Sequence, residues 1–194
     1  MIKFKVVVAG AKNVGKTSLL RRFATGKFEK STLSTIGVDF ETKKVVVDDT
    51  EILLNIWDFA GEKKFRLLFP SYVSGASGAL MLYDITNEDS LNDLYDWINV
   101  ISSVPNSPKT KILIEAKNDL KRKVKREKAL KLFEKFKFQG EMLSTSAKTG
   151  ENVEKAFEML GREILKNSLK KCSNCGKLYP LELKFCQYCG SKAN

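Results

Sequence analysis

The segment that most constrains this chain is Gly10-Ala11-Lys12-Asn13-Val14-Gly15-Lys16-Thr17, which fits G-x-x-x-x-G-K-[ST]. It stands between an apolar run, Val6-Val7-Val8-Ala9, that reads as a buried strand, and Lys16 to Phe23, which reads as a helix. A turn of this kind lets successive backbone N–H groups face a phosphate chain, and the N-terminus of the following helix adds partial positive charge. Lys16 would neutralise β- and γ-phosphate oxygens, and the Thr17 hydroxyl would ligate Mg²⁺. An accidental glycine-rich turn is the alternative, but the strand–loop–helix context points to a bound nucleotide. The loop does not separate ATP from GTP.

The rest of the chain continues the alternation of strands and helices. Val38 to Val47 and Ile52 to Asp58 read as two strands joined at Asp48-Asp49-Thr50 as a hairpin. Ala79 to Asp84 and Ile112 to Ile114 are further buried strands, and Met142-Leu143 a last short one. Leu91, Leu94, Trp97, Ile98 and Ile101 recur at helical spacing and stop before Pro105, and Val124 to Phe136 suits another helix. From near Asn152, Val153, Phe157, Leu160, Ile164 and Leu165 line one helix face. Acids open that helix and lysines close it, as the helix dipole prefers. Such alternation implies an α/β protein with a mostly parallel sheet covered on both faces.

Composition narrows the chemistry. The 194 residues contain no histidine, which excludes Ser-His-Asp and Cys-His catalysis and any metal site that needs imidazole. No apolar run approaches the roughly 18–20 residues needed to span a bilayer, and the start, Met1 to Val8, is too short for a signal peptide. A reducing cytoplasm is the expected location. The net charge of +11 is local: residues 1–108 carry thirteen basic and thirteen acidic groups, whereas 109–137 carry twelve against four. A lysine-rich solvated helix face explains that block; a patch for anionic lipid or RNA is the sharper alternative.

Four further segments carry a family resemblance. Ser34-Thr35-Ile36-Gly37-Val38-Asp39-Phe40 looks like the first switch of Rab-type small GTPases, and Trp57-Asp58-Phe59-Ala60-Gly61-Glu62 resembles their W-D-T-A-G-Q. Ala116-Lys117-Asn118-Asp119 resembles N-K-x-D, and Thr145-Ser146-Ala147-Lys148 resembles T-S-A-K. Ser71 to Gly78 also resembles the Rab stretch after the second switch. With the phosphate loop these stand in order, over roughly residues 3–168. The resemblance implies a P-loop NTPase with the Ras-like three-layer fold, a mostly parallel six-stranded sheet, and a monomeric GTP/GDP switch that hydrolyses GTP.

By that resemblance, Lys16, Thr35, Gly61 and Glu62 are the catalytic positions. Asn13, Val14, Gly15, Lys16, Thr17, Ser18, Phe28, Thr35, Gly61, Lys117, Asp119, Ser146, Ala147 and Lys148 contact the nucleotide. Thr17 and Thr35 hold Mg²⁺ directly and Asp58 holds it through water, while the Gly61 N–H meets the γ-phosphate. Contacts that exist only with that phosphate make the two segments an order-to-disorder switch. The Asp119 carboxylate can accept from guanine N1–H and its exocyclic amine, a pair adenine lacks, so it selects GTP over ATP. Lys117 lies along the base, Ala147 and Lys148 support it, and Phe28 packs edge-on against it. Phe40, Trp57 and Tyr72 match an aromatic triad presented to effectors, exchange factors and activators; ordinary sheet-face packing is the other explanation.

Three departures from the family pattern bear on catalysis and specificity. Glu62 replaces the water-positioning Gln; an ionised carboxylate accepts from water but cannot donate to phosphoryl oxygens. Lys12 occupies a loop position that is glycine in Ras, where it would obstruct an activator's arginine or bring positive charge in cis. Ala116 replaces the Asn of N-K-x-D, losing an amide that would contact base N7 and brace the phosphate loop. Slow hydrolysis and weakened but retained guanine selectivity follow. A non-hydrolysing, GTP-held scaffold and a nucleic-acid factor are the rival functions.

All four cysteines lie in Cys172-Ser173-Asn174-Cys175-Gly176 and Cys186-Gln187-Tyr188-Cys189-Gly190. Two such knuckles can close four thiolates around one Zn²⁺, and a piece this small needs a staple in place of a core. The segment resembles a short zinc ribbon, with Leu178, Tyr179, Leu181, Leu183 and Phe185 expected to form a hairpin and small apolar centre. Two disulfides or lipidated cysteines are the alternatives. No C-a-a-X box ends the sequence, so the ribbon stands where Rab proteins usually carry their lipid anchor. The division expected is a GTPase domain over 1–168 and a ribbon over 169–194, linked by the polar connection Lys166 to Lys171. The ribbon is expected to dock a protein, with membrane contact peripheral at most.

Overall fold

The computed structural model describes residues 1–29, 37–61 and 69–192. Six strands form one sheet in the order β2-β3-β1-β4-β5-β6. They are β1 (Ile2–Ala9), β2 (Val38–Val47), β3 (Thr50–Phe59), β4 (Gly78–Asp84), β5 (Thr110–Ala116) and β6 (Leu143–Thr145). All pairings are parallel except β2 with β3, so the expected mostly parallel sheet is borne out. The β2–β3 turn has Asp48 and Asp49 both at positive φ, 45° and 63°. Two left-handed residues in succession match the right-handed twist of a tight hairpin, and aspartate tolerates that region.

The helices are α1 (Lys16–Thr25), α2 (Phe69–Val73), α3 (Glu88–Ser103), α4 (Arg126–Lys135) and α5 (Val153–Ser168). Strand β4 is buried along its whole length, as a strand covered on both faces must be. On one face α1 and α5 cover Val6, Val8, Leu54, Leu80 and Ile112, with Phe23 and Phe157 stacked at 3.8 Å and 9°. Helix α5 lies close because it presents Gly161, where an added Cβ would come 2.7 Å from Ile52 Cδ1. On the other face α2, α3 and α4 cover Val7, Ala79, Met81, Tyr83 and Leu113 around the fully buried Trp97. This is the three-layer Ras-like arrangement.

Three expectations need correction. Lys166 to Lys171 is not a connection: α5 runs through Ser168, and Leu169–Lys171 is a strand, β7. The stretch between the cysteine knuckles is not a hairpin of its own either. Its strand β8 (Leu178–Pro180) pairs antiparallel with β7, while Leu181 and Phe185 are 41% and 58% exposed. Tyr179 and Leu183 alone of the expected apolar residues pack with the buried Cys172 and Cys186. The cause is chain geometry: β7 emerges directly from α5 and offers β8 a ready edge, with Lys170 half-buried over the Tyr179 ring at 5.2 Å and Lys171 exposed. The helix expected from Val124 begins at Arg126, with Val124 a buried plug before it. Most of the 109–137 lysines, including Lys121, Lys123, Lys128 and Lys131, are solvated.

Candidate functional site

Every parallel strand points its C-terminal end at one edge of the sheet, and the chemistry-bearing loops collect there. Between β1 and α1 the phosphate loop turns through Asn13 at φ 63° and Gly15 at φ 101°. Gly10 must be glycine, because a Cβ there would fall 2.4 Å from the Leu82 carbonyl oxygen. Val14 is buried in the core and fixes the loop from inside. Lys16 is 5% exposed, its ammonium donating to the carbonyls of Gly10 at 3.0 Å and Ala11 at 2.9 Å. Burial pushes this ammonium down to about 8, with the Asp58 carboxylate opposing. Such a buried cation at a loop mouth calls for an anionic ligand.

The loop meets the ends of β3 and its successor. Thr17 Oγ1 donates to Asp58 Oδ2 at 2.5 Å, which brings a hydroxyl and a carboxylate together where a hard cation takes oxygen ligands. Gly61 closes against the loop so tightly that a Cβ would lie 2.4 Å from the Ala11 carbonyl carbon and the Lys12 nitrogen. The donor set fits Mg²⁺. Thr35 and Glu62, the remaining catalytic positions, lie outside the described residues.

Beside the loop is a cavity of about 540 Å³, a size typical of small-ligand sites. Val14, Gly15, Ser18, Leu19 and Phe28 wall one side; Ala116, Lys117, Asp119, Leu120, Thr145, Ala147 and Lys148 wall the other. Ser146 Oγ donates to Asp119 Oδ1 at 2.6 Å, and Lys148 Nζ stands 3.7 Å from Oδ2. Lys117 turns through φ 66°, its ammonium tied to Asp84 at 2.6 Å. Burial works against the Asp84 charge, but hydrogen bonds from Lys117 and Thr86 outweigh it and hold the carboxyl below its usual range. Asn118 N–H donates to the Thr145 carbonyl at 2.9 Å, joining the two loops that carry the wall. A carboxylate held at one end of a mostly apolar slot, with a phosphate loop at the other, suits a purine nucleotide.

The family model of the Ras family matches residues 5–166. The chain belongs to the Ras family. Among its relatives, Ras-related protein Rab-13 of Canis lupus familiaris is 37% identical over 186 residues, 94% of this chain and 91% of that one. Ras-related protein Rab-8B of Homo sapiens is 38% identical over 173 residues, 88% and 83% of the two chains. Ras-related protein Rab-8 of Diplobatis ommata is 39% identical over 170 residues, 87% and 80%. The protein is thus a Rab-like small GTPase, an enzyme that hydrolyses GTP to GDP and phosphate.

The Rab-like aromatic positions form a row. Phe40 and Trp57 have ring centroids 4.9 Å apart, and Trp57 and Tyr72 5.3 Å. Phe40 is 50% exposed, whereas Trp57 and Tyr72 are half-buried against the α2–α3 face of the core.

The cysteine cluster lies beyond α5. Cys172, Cys175, Cys186 and Cys189 bring all four Sγ atoms within 4.8 Å of one another, and none of them is in a disulfide. Cys172–Cys189 and Cys175–Cys186 stand at 3.6 and 3.7 Å. A tetrahedron with Zn–S near 2.3 Å has edges of about 3.8 Å, so the set fits a zinc ion and not two disulfides. The Ser191 hydroxyl sits 3.2 Å from Cys172 Sγ and 3.1 Å from Cys189 Sγ. Hydrogen bonding to Ser191, side chain first and then backbone, brings the Cys189 thiol down to about 5. Among the described residues no helix is long and apolar enough to cross a membrane.

Sequence reasoning missed four groups. Asp84 and Ser191 brace residues that it did name. Thr145 Oγ1 is buried with no hydrogen-bond partner among the described residues. Glu115 is a fully buried carboxylate one residue before the Ala116-Lys117-Asn118-Asp119 segment. A charged residue in a run otherwise as apolar as Ile112-Leu113-Ile114 was the available signal for Glu115.

Proposed function

We propose that this GTPase is a slow GTP/GDP switch with guanine selectivity carried by Asp119, built on a body of residues 1–168 with a zinc module over 169–194. The observation that carries it is one continuous site: the Thr17–Asp58 oxygen pair, the buried Lys16 ammonium and the Asp119-ended cavity. Lys16 would neutralise phosphate oxygens, Val14, Gly15 and Ser18 would line the sugar and phosphate side, and Phe28 would close the slot over the base. Bound Mg²⁺ would supply Lewis-acid neutralisation of the β- and γ-phosphate oxygens. Thr17 and Asp58, with Thr35, are the residues to hold it. Gly61, which packs against the phosphate loop, would register the γ-phosphate, and Phe40, Trp57 and Tyr72 would present that state to effectors.

Slowness rests on Glu62, whose charge is repelled by a polyanionic phosphate and whose ionised carboxylate donates no hydrogen bond. Restoring one positioned donor is worth about tenfold in rate, near 1.4 kcal/mol. Single-turnover hydrolysis of GTP by wild type and Glu62→Gln measures this, and no gain on restoring Gln refutes the role of Glu62. Wild type purified with GTP that persists over hours would instead be a GTP-held scaffold. The four thiolates would be closed by Zn²⁺, in a reducing, cytoplasmic setting, and the module would dock a protein. Truncation at Leu169 that leaves every partner and the cellular location unchanged would refute docking.

A further inference from the structure

The base-binding wall is built from two loops on neighbouring strands, one after β5 and one after β6. Recognition of a flat base requires them to keep their spacing to within a fraction of an ångström. Glu115, the penultimate residue of β5, points to the opposite face of the sheet from Ala116 and is 0% exposed as a side chain. Its register partners are Tyr83 on β4 and Ser144 on β6. Its Oε1 accepts from Tyr83 OH at 2.6 Å and from Arg122 at 2.8 Å. Its Oε2 accepts from Ser144 Oγ at 2.5 Å, and the Arg126 guanidinium makes a looser ion pair with it at 3.5 Å.

The two oxygens therefore reach the two loops separately. Arg122 lies three residues after Asp119, and Ser144 two residues before Ser146, the hydroxyl donor to Asp119. We propose that Glu115 is a positioning residue for base recognition, a carboxylate clamp that holds the Asp119 loop against the Ser146 loop. It stands next to Ala116, which has no side-chain amide to tie those loops from the cavity side.

Energetics favour a positioning role over a purely stabilising one. A buried ion pair seldom stabilises more than apolar side chains of the same volume would, because both charges lose their water. What it adds is geometry, since the three donors Tyr83, Arg122 and Ser144 converge on fixed lone pairs. Breaking one arm leaves charge uncompensated and lets the loop that carries it shift.

The inference rests on the guanine reading of the site, and the assay separates the two. GDP, IDP and ADP affinities would be measured by competition against fluorescent GDP for wild type, Glu115→Gln, Arg122→Gln and Ser144→Ala, with the melting temperature of each. IDP lacks the exocyclic amine that Asp119 would accept from, so the GDP:IDP ratio reports the placement of that carboxylate. General loosening would weaken both nucleotides alike and leave the ratio unchanged. The expectation is that Glu115→Gln compresses the ratio by about tenfold, and Arg122→Gln and Ser144→Ala each by less, as expected for coupled partners. Should Glu115→Gln not fold, the two single-arm variants decide the matter. Folded variants that keep the wild-type ratio overturn the clamp alone. Wild type that binds ADP as tightly as GDP overturns the base reading and the clamp together.

Discussion

Installing an amide at Ala116 tests the other side of the same strand. Ala116 is 5% exposed and Thr145 1% exposed; they are direct register partners on β5 and β6, and both line the cavity. Partners of this kind sit about 4.8 Å apart with side chains on one face, within reach of an asparagine amide. The Thr145 hydroxyl has no partner among the described residues, and an unsatisfied buried hydroxyl costs about 1–3 kcal/mol. Ala116→Asn would satisfy it and lose side-chain entropy, for a net gain of about 1 kcal/mol. That corresponds to a melting temperature raised by about 2–4 °C for a chain of this size, and a tie between the two loops of the cavity wall is expected to slow GDP release as well. Calorimetry reads the first, and release of fluorescent GDP after addition of excess unlabelled GDP the second. Thr145→Val supplies the internal check. Alone it removes an unpaired hydroxyl and is neutral or stabilising; combined with Ala116→Asn it removes the partner and cancels the gain. Faster release or a lower melting temperature in Ala116→Asn would show that the amide has no room, and would refute the account of Thr145.

Two further outcomes are expected. Purified protein carries one zinc per chain by elemental analysis, and Cys186→Ser loses it while retaining GDP, because the nucleotide loops lie at the far end of the sheet. Four freely titrating thiols in untreated wild type would contradict this. Burial opposes the charge on Glu115, but hydrogen bonds from Ser144, Tyr83 and Arg122 outweigh it and hold its carboxyl below its ordinary 4.5. The unfolded chain then binds the proton first, so this contribution is complete above about pH 5 and is lost as pH falls through the folded value. Melting temperatures followed downward from pH 6 would fall more steeply for wild type than for Glu115→Gln, and parallel curves would refute the linkage.

Those features written in neighbouring residues were legible without a structure. The phosphate loop, the Asp48-Asp49 turn and the face of α5 each depend on spacing within one segment, and the motifs carry the rest of the nucleotide edge. What escaped depends on residues far apart in the chain. Glu115 makes sense only with Tyr83, Arg122 and Ser144 around it, and Ser191 only once the knuckles have folded. Strand β7 was hidden for a different reason. Leu169-Lys170-Lys171 has the composition of a linker, and its strand character comes entirely from the partner that the second half of the cysteine module supplies.

That same junction has a mechanical meaning. Helix α5 passes into β7 with no intervening loop, Asn167 Nδ2 donates to Thr110 Oγ1 at 3.0 Å, and Leu181 N–H donates to the Ser168 carbonyl at 3.0 Å. The eight residues of β1 put about 26 Å between this pole of the sheet and the nucleotide edge. A flexible tail would let a tethered body sample every attitude towards its anchor. Here the cysteine module is a bracket, and a partner gripping it would fix the heading of the whole body. The nucleotide edge would always be held outward, and its orientational freedom would already be lost in folding, before any partner arrived.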